Sequence, residues 1–212
     1  MVWSEIALNR ALVSASAIGI LLILDKLVMI APSLGESLSR WRGSENLEHS
    51  MSLRRARNLC AAVMFLPFCL ILDHFGVTAT SAAEAMGPES SVLLTFALMA
   101  GWLLLRLLGG LALGRNSIPR EIRNAARHVV LNYMIILTGV LLVIAFILVS
   151  VGANPLASRI CILTFCGATY LLALAREMQI FVEHGAGFST FLYLCALDLL
   201  PTGILAACIL IL

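Results

Sequence analysis

Seven polar side chains interrupt runs that are otherwise apolar: Asp25, Lys26, Arg106, Asn132, Arg176, Tyr193 and Asp198. Ionisable groups are costly in a medium of low dielectric constant, so there they are paired, reached by water, or functional. Asp198 is the sharpest case. Counted from Phe188 at about 1.5 Å per residue, it lies roughly 15 Å into an apolar run, near the midplane of a bilayer. A long Arg or Lys side chain can reach back to an interface, whereas a short carboxylate cannot. Pro201, three residues on, cannot donate to the carbonyl of Leu197 and so frees it. A carboxylate beside a freed carbonyl is how broken membrane helices hold ions, and it is equally how a plain kink looks.

The same counting puts Arg106 roughly 10 Å, and Asp25 and Lys26 roughly 8–9 Å, from the nearer ends of their own runs. Asn132 sits one turn into its run and Arg176 closes another. Asp25 and Arg106 match best in depth, and Asp198 is within reach of Arg106 or Lys26. Two readings stand. These residues either form a polar pocket open to one side of a membrane, or a satisfied ion-pair network that fixes helix register.

Other chemistry is thin. The six cysteines, Cys60, Cys69, Cys161, Cys166, Cys195 and Cys208, form no Cys-x-x-Cys and have no His at zinc-ligand spacing, so they read as packing residues. Glu183-His184 and Asp73-His74 fall short of a metal site. The chain has no phosphate-binding glycine loop, no His-Glu-x-x-His, no serine elbow and no paired catalytic carboxylates. Neither a metal nor a cofactor is expected.

The elements that must carry these residues are membrane helices. Hydrophobic residues make up 61% of the 212 and charged residues 12%, with a mean hydropathy of +1.01. Soluble domains carry about 25% charged residues. Six apolar stretches are long enough to span: 11–31, 59–75, 91–113, 129–151, 160–178 and 188–210. They predict an all-α, six-helix bundle forming a single transmembrane domain. The first stretch is expected to be a membrane helix rather than a signal peptide, since Glu5 stands in place of a basic leader and the apolar run continues to Pro32. Small residues at i, i+4, such as Ala15 and Gly19, permit close helix packing.

All but Lys26 of the 14 basic residues are arginine, and their placement gives an orientation. Loop 33–58 carries Arg40, Arg42, Arg54, Arg55 and Arg57, and loop 114–128 carries Arg115, Arg120, Arg123 and Arg127. The 74–90 loop has no Lys or Arg. Positive loops stay cytoplasmic, which leaves both termini on the outer side. Arg54, Arg55, Arg57, Arg120 and Arg123 are expected at anionic headgroups, so the lipid bilayer is the first partner. The basic loops lack interleaved aromatics, which argues against nucleic acid.

The segment Leu192-Tyr193-Leu194-Cys195-Ala196-Leu197-Asp198-Leu199-Leu200-Pro201 resembles the signature Leu-Tyr-Leu-Cys-x-x-Glu-x-x-Pro of a multi-pass inner-membrane family typical of Bacteroidota, a domain of unknown function. The resemblance implies a six-span topology and a bacterial inner membrane, and no mechanism. Asp198 departs from the family's Glu, and the fourth span lacks the family's proline.

Three classes of function follow. Small size and the lack of catalytic motifs favour a non-enzymatic component that assembles or anchors an envelope complex through a protein partner. The polar layer favours a small transporter or channel built around Asp198 and Arg106. An enzyme acting on lipid-linked substrate, with arginines on phosphates, is the third.

Overall fold

The computed structural model describes residues 6–39, 50–78, 88–113, 120–183 and 198–211. Among them there are six helices and no strand: α1 (Ala7–Ser39), α2 (Met51–His74), α3 (Pro88–Leu113), α4 (Arg120–Val151), α5 (Pro155–Glu183) and α6 (Leu200–Ile211). The fold is therefore all-α. The first five are long and apolar enough to cross a membrane, the architecture of a multi-pass membrane protein. The sixth span expected at 188–210 falls partly outside the described residues, and its described part is the 12-residue α6.

Several helices outrun their apolar cores. α1 continues through Pro32 to Ser39, beyond the apolar stretch that ends at Ala31. The arginines at the start of α2 are helical, and that helix begins eight residues before the expected Leu59. α4 starts at Arg120 and runs unbroken into the span. Arginine is a good helix former, and residues 51–58 of α2 and 120–128 of α4 hold no glycine to stop the helix.

Two tight exits are written in the sequence. Gly76 and Gly152 take φ of 63° and 64°, a left-handed conformation that costs glycine nothing. After α2, Val77 N–H donates to the Leu72 carbonyl and Gly76 N–H to that of Asp73. After α4, Ala153 donates to Leu148 and Gly152 to Val149. Both are Schellman closures, which satisfy the last carbonyls of a helix. Asn154 Oδ1 then accepts from Leu156 N–H at 3.0 Å and Pro155 opens α5, a side-chain cap followed by proline in the first turn. Three residues thus join α4 to α5.

α2 is the hub, packing against α1, α3 and α4, while α4 packs on α5 and α3 on α6. It buries 61% of its apolar stretch, against 17% for α1. Two apolar clusters line it. One joins Ile23, Ile30 and Leu34 of α1 to Ala56, Cys60 and Met64, with Met134 and Ile135 of α4. The other joins Cys69, Ile71 and Leu72 to Met99, Leu141 and Ile162. Gly19 lets α1 approach α2, because a Cβ there would stand 3.0 Å from Val63 Cγ1. The outward faces stay apolar, with Leu21, Leu22 and Val28 exposed on α1. That inverts the soluble pattern, and it suits lipid as the solvent.

Candidate functional site

Arg106 of α3 is the centre of the polar constellation. It is buried, and its guanidinium is shared by two buried carboxylates from other parts of the chain. Nη2 meets Glu177 Oε1 of α5 at 2.5 Å, and Nη1 pairs with Asp198 Oδ1 just before α6. The side chains of Arg106, Glu177 and Asp198 are 7%, 1% and 2% exposed. Planar guanidinium groups suit this role because their five N–H donors fan out to more than one carboxylate. The second oxygens, Glu177 Oε2 and Asp198 Oδ2, are buried and have no hydrogen-bond partner among the described residues.

The backbone at Asp198 is held as well. Tyr170 Oη donates to the Asp198 carbonyl at 3.1 Å. Asp198 and Leu199 form a π-helical turn that leads directly to buried Pro201. Such widened turns arise where a ladder bond is missing and recur at functional sites. One turn further on, Trp102 Nε1 donates to Thr202 Oγ1 at 3.2 Å, tying α3 to α6.

Contacts between helices fix where this cluster lies. Phe65 and Phe96 stack edge-on at 5.1 Å. Eight residues separate Phe65 from Arg57 and ten separate Phe96 from Arg106, so the two arginines lie within about 3 Å of one level. Gly19 faces Val63, and six residues from each lead to Asp25 and Arg57. The Tyr133 hydroxyl bonds Arg176, which brings α4 to the level of Glu177. Asn132, Tyr133, Arg176, Glu177, Arg106, Asp198, Arg57, Asp25 and Lys26 therefore form one transverse layer. It lies near the arginine-rich ends of the helices. Along α2, the 16 residues from Arg57 to Asp73 cover only about 24 Å of apolar slab. The pairing with Arg106 sets the level of Asp198 within the bundle.

A second polar layer closes the other end of the slab. Ser91 Oγ donates to Asp73 Oδ1 at 2.5 Å and Thr95 Oγ1 to the same oxygen at 3.3 Å. The Thr78 and Thr95 hydroxyls share a further bond at 2.5 Å. From sequence, Asp73 and His74 looked isolated at this rim. Thr78, Ser91 and Thr95 carried no signal, since isolated hydroxyls are common in apolar helices.

The expected residues divide as follows. Arg106 and Asp198 are brought together. Asp25 and Lys26 share their level but lie on the exposed side of α1, and Arg106 is paired with Glu177 and Asp198 rather than with Asp25. Asn132 is fully buried, and neither amide atom finds a partner among the described residues. Arg176 bonds Gln179 Oε1 at 2.7 Å as well as Tyr133. Tyr193 lies outside the described residues. Of the arginines expected at headgroups, Arg55 is exposed and Arg54 half-buried. Arg57 is fully buried and bonds Asn58 Oδ1 at 3.3 Å and 3.2 Å, so burial and not lipid contact describes it. Arg120 and Arg123 lie in the first turn of α4, and their side chains lie outside the described set. No group of three His, Cys, Asp or Glu among the described residues is placed to hold a metal ion.

No protein-family model, curated protein sequence or solved structure matches this chain.

Proposed function

We propose that this chain is a small membrane transporter whose working centre is the Arg106–Glu177–Asp198 cluster. One observation carries the reading: three separate segments bring a cation and two carboxylates together inside an apolar bundle. Such a cluster is costly to bury, and in membrane proteins it marks ion and substrate paths. The positive-inside pattern puts the cluster at the cytoplasmic edge of the bilayer and the Asp73 layer at the outer edge. The resemblance of 192–201 to the Bacteroidota signature supports the inner membrane as the compartment.

A second reading is favoured by how tightly the cluster is closed. Side chains this buried act as a clasp between α3, α5 and the start of α6. Under that reading the chain is a non-enzymatic assembly or anchoring subunit of an envelope complex.

Native mass spectrometry of wild type and Asp198→Asn, released gently from their own membrane, separates the two. The transport reading expects a small-molecule adduct on the wild type that the variant loses. A stoichiometric protein partner kept by both forms, with no such adduct, would overturn it in favour of the assembly subunit.

A further inference from the structure

We propose that the cluster holds a proton, shared between Glu177 and Asp198, and that this proton is the species the centre exchanges. The inference deepens the transport reading and rests on it for the exchange step alone. It starts from charge. One guanidinium is paired with two carboxylates, so the fully ionised trio carries a net negative charge among buried side chains. An uncompensated charge in a medium of low dielectric constant is relieved by protonation or by a bound cation.

Among the described residues, Arg106 is the cation that forms ion pairs with these two carboxylates. On α5, Arg176 is engaged by Tyr133 and Gln179. On α2, the contacts of the buried Arg57 include Asn58 Oδ1. On α4, the groups at this level are the neutral Asn132 and Tyr133, and on α1, Lys26 is on the exposed side. The nearest group on α5 toward α6, the Tyr170 hydroxyl, is spent on the Asp198 carbonyl.

The geometry selects a proton over a metal ion. Hard divalent cations want about six oxygen ligands. Here the unpartnered oxygens of the two carboxyl groups are one on each, Glu177 Oε2 and Asp198 Oδ2. The guanidinium already lies against both carboxylates. A proton needs one oxygen to hold it, and it leaves the other carboxylate to pair with Arg106. Like-charged carboxylates in one site share a proton for the same reason. Uptake adds one proton and one positive charge, and release reverses both. Either carboxyl can hold the proton while Arg106 pairs with the other, so the proton's position and the ion pair switch together.

Infrared difference spectroscopy of the purified full-length protein in lipid nanodiscs tests this. The wild type at neutral pH is expected to show the carbonyl stretch of a protonated carboxyl group. Asp198→Asn and Glu177→Gln each remove the surplus charge, so each alone abolishes that band. Arg106→Gln strips the cation and doubles it. Asp73, bonded by two hydroxyls, is the other buried carboxyl of the described residues, and any band from it stays constant across all four proteins. Should Asp198→Asn fail to yield helical, monodisperse protein, Glu177→Gln decides alone. Variants with the wild-type band unchanged, or a wild type with no band of its own, would overturn the proton. A band that behaves as expected on a protein that carries no small-molecule adduct keeps the proton and removes transport. An adduct without the band does the reverse.

Discussion

Replacing Arg106 by leucine leaves Glu177 and Asp198 buried without their cation. Both ion pairs are sealed from water, so they escape the screening that makes surface pairs nearly worthless. Removing one partner of a buried pair costs about 3–5 kcal/mol, because the stranded charge must be neutralised or dragged into the interior. At about 1.36 kcal/mol per decade, the unfolding equilibrium shifts by two to nearly four orders of magnitude. The assay is reversible unfolding of full-length protein in mixed micelles, followed by tryptophan fluorescence. The loss is expected to be largest at alkaline pH. It shrinks under acid, where both carboxyls take up protons and no charge is stranded. The triple variant Arg106→Leu, Glu177→Gln, Asp198→Asn should recover much of the loss, since a whole buried ionic group is replaceable by neutral residues at little cost. An Arg106→Leu protein within about 1 kcal/mol of wild type at alkaline pH would refute the reasoning, since that is the worth of a solvated pair.

Gly19→Leu drives side-chain atoms into Val63 and is expected to cost about 1–3 kcal/mol by parting α1 from α2, whereas Gly139→Ala meets nothing within 4 Å and serves as the neutral control in the same melts. Asp73→Ala strips the acceptor from Ser91 and Thr95 and should cost about 1–3 kcal/mol, read as faster amide exchange at the start of α3. A single cysteine at Ser44, in a background free of the native cysteines, is expected to react with an impermeant maleimide only from the cytoplasmic side, and one at Ser90 only from the other. The opposite labelling would invert the bundle.

The apolar periodicity of the chain exposed its architecture well, because a bilayer demands long apolar runs that no other solvent demands. The exit from α4 at Gly152, Asn154 and Pro155 went unread in the sequence, although glycine, asparagine and proline in that order are ordinary helix-end residues. Glu177 was missed because it follows Arg176 at the end of an apolar run, where a charged pair reads as the rim of a span. Only packing shows that Arg176 turns toward α4 while Glu177 turns inward to α3. The level of Asp198 within the bundle was not legible for a related reason. Counting along one helix gives height above that helix's own end, and helices that outrun the bilayer do not share a common zero. The registers come from Phe65 against Phe96 and Gly19 against Val63, contacts between residues distant in sequence.

The three-residue joint between α4 and α5 makes the pair a lever. Its fulcrum is Gly152 to Asn154, closed on one side by the Schellman bonds and on the other by the asparagine cap. Neither helix can slide along the other without breaking one of these, so relative motion is rotation about the joint. Glu177 lies 22 residues from Pro155, an arm of about 33 Å. A swing of about 5° therefore carries the carboxylate roughly 3 Å, enough to part it from Arg106. The Tyr133–Arg176 bond sits at the tip of the same arm and latches it shut.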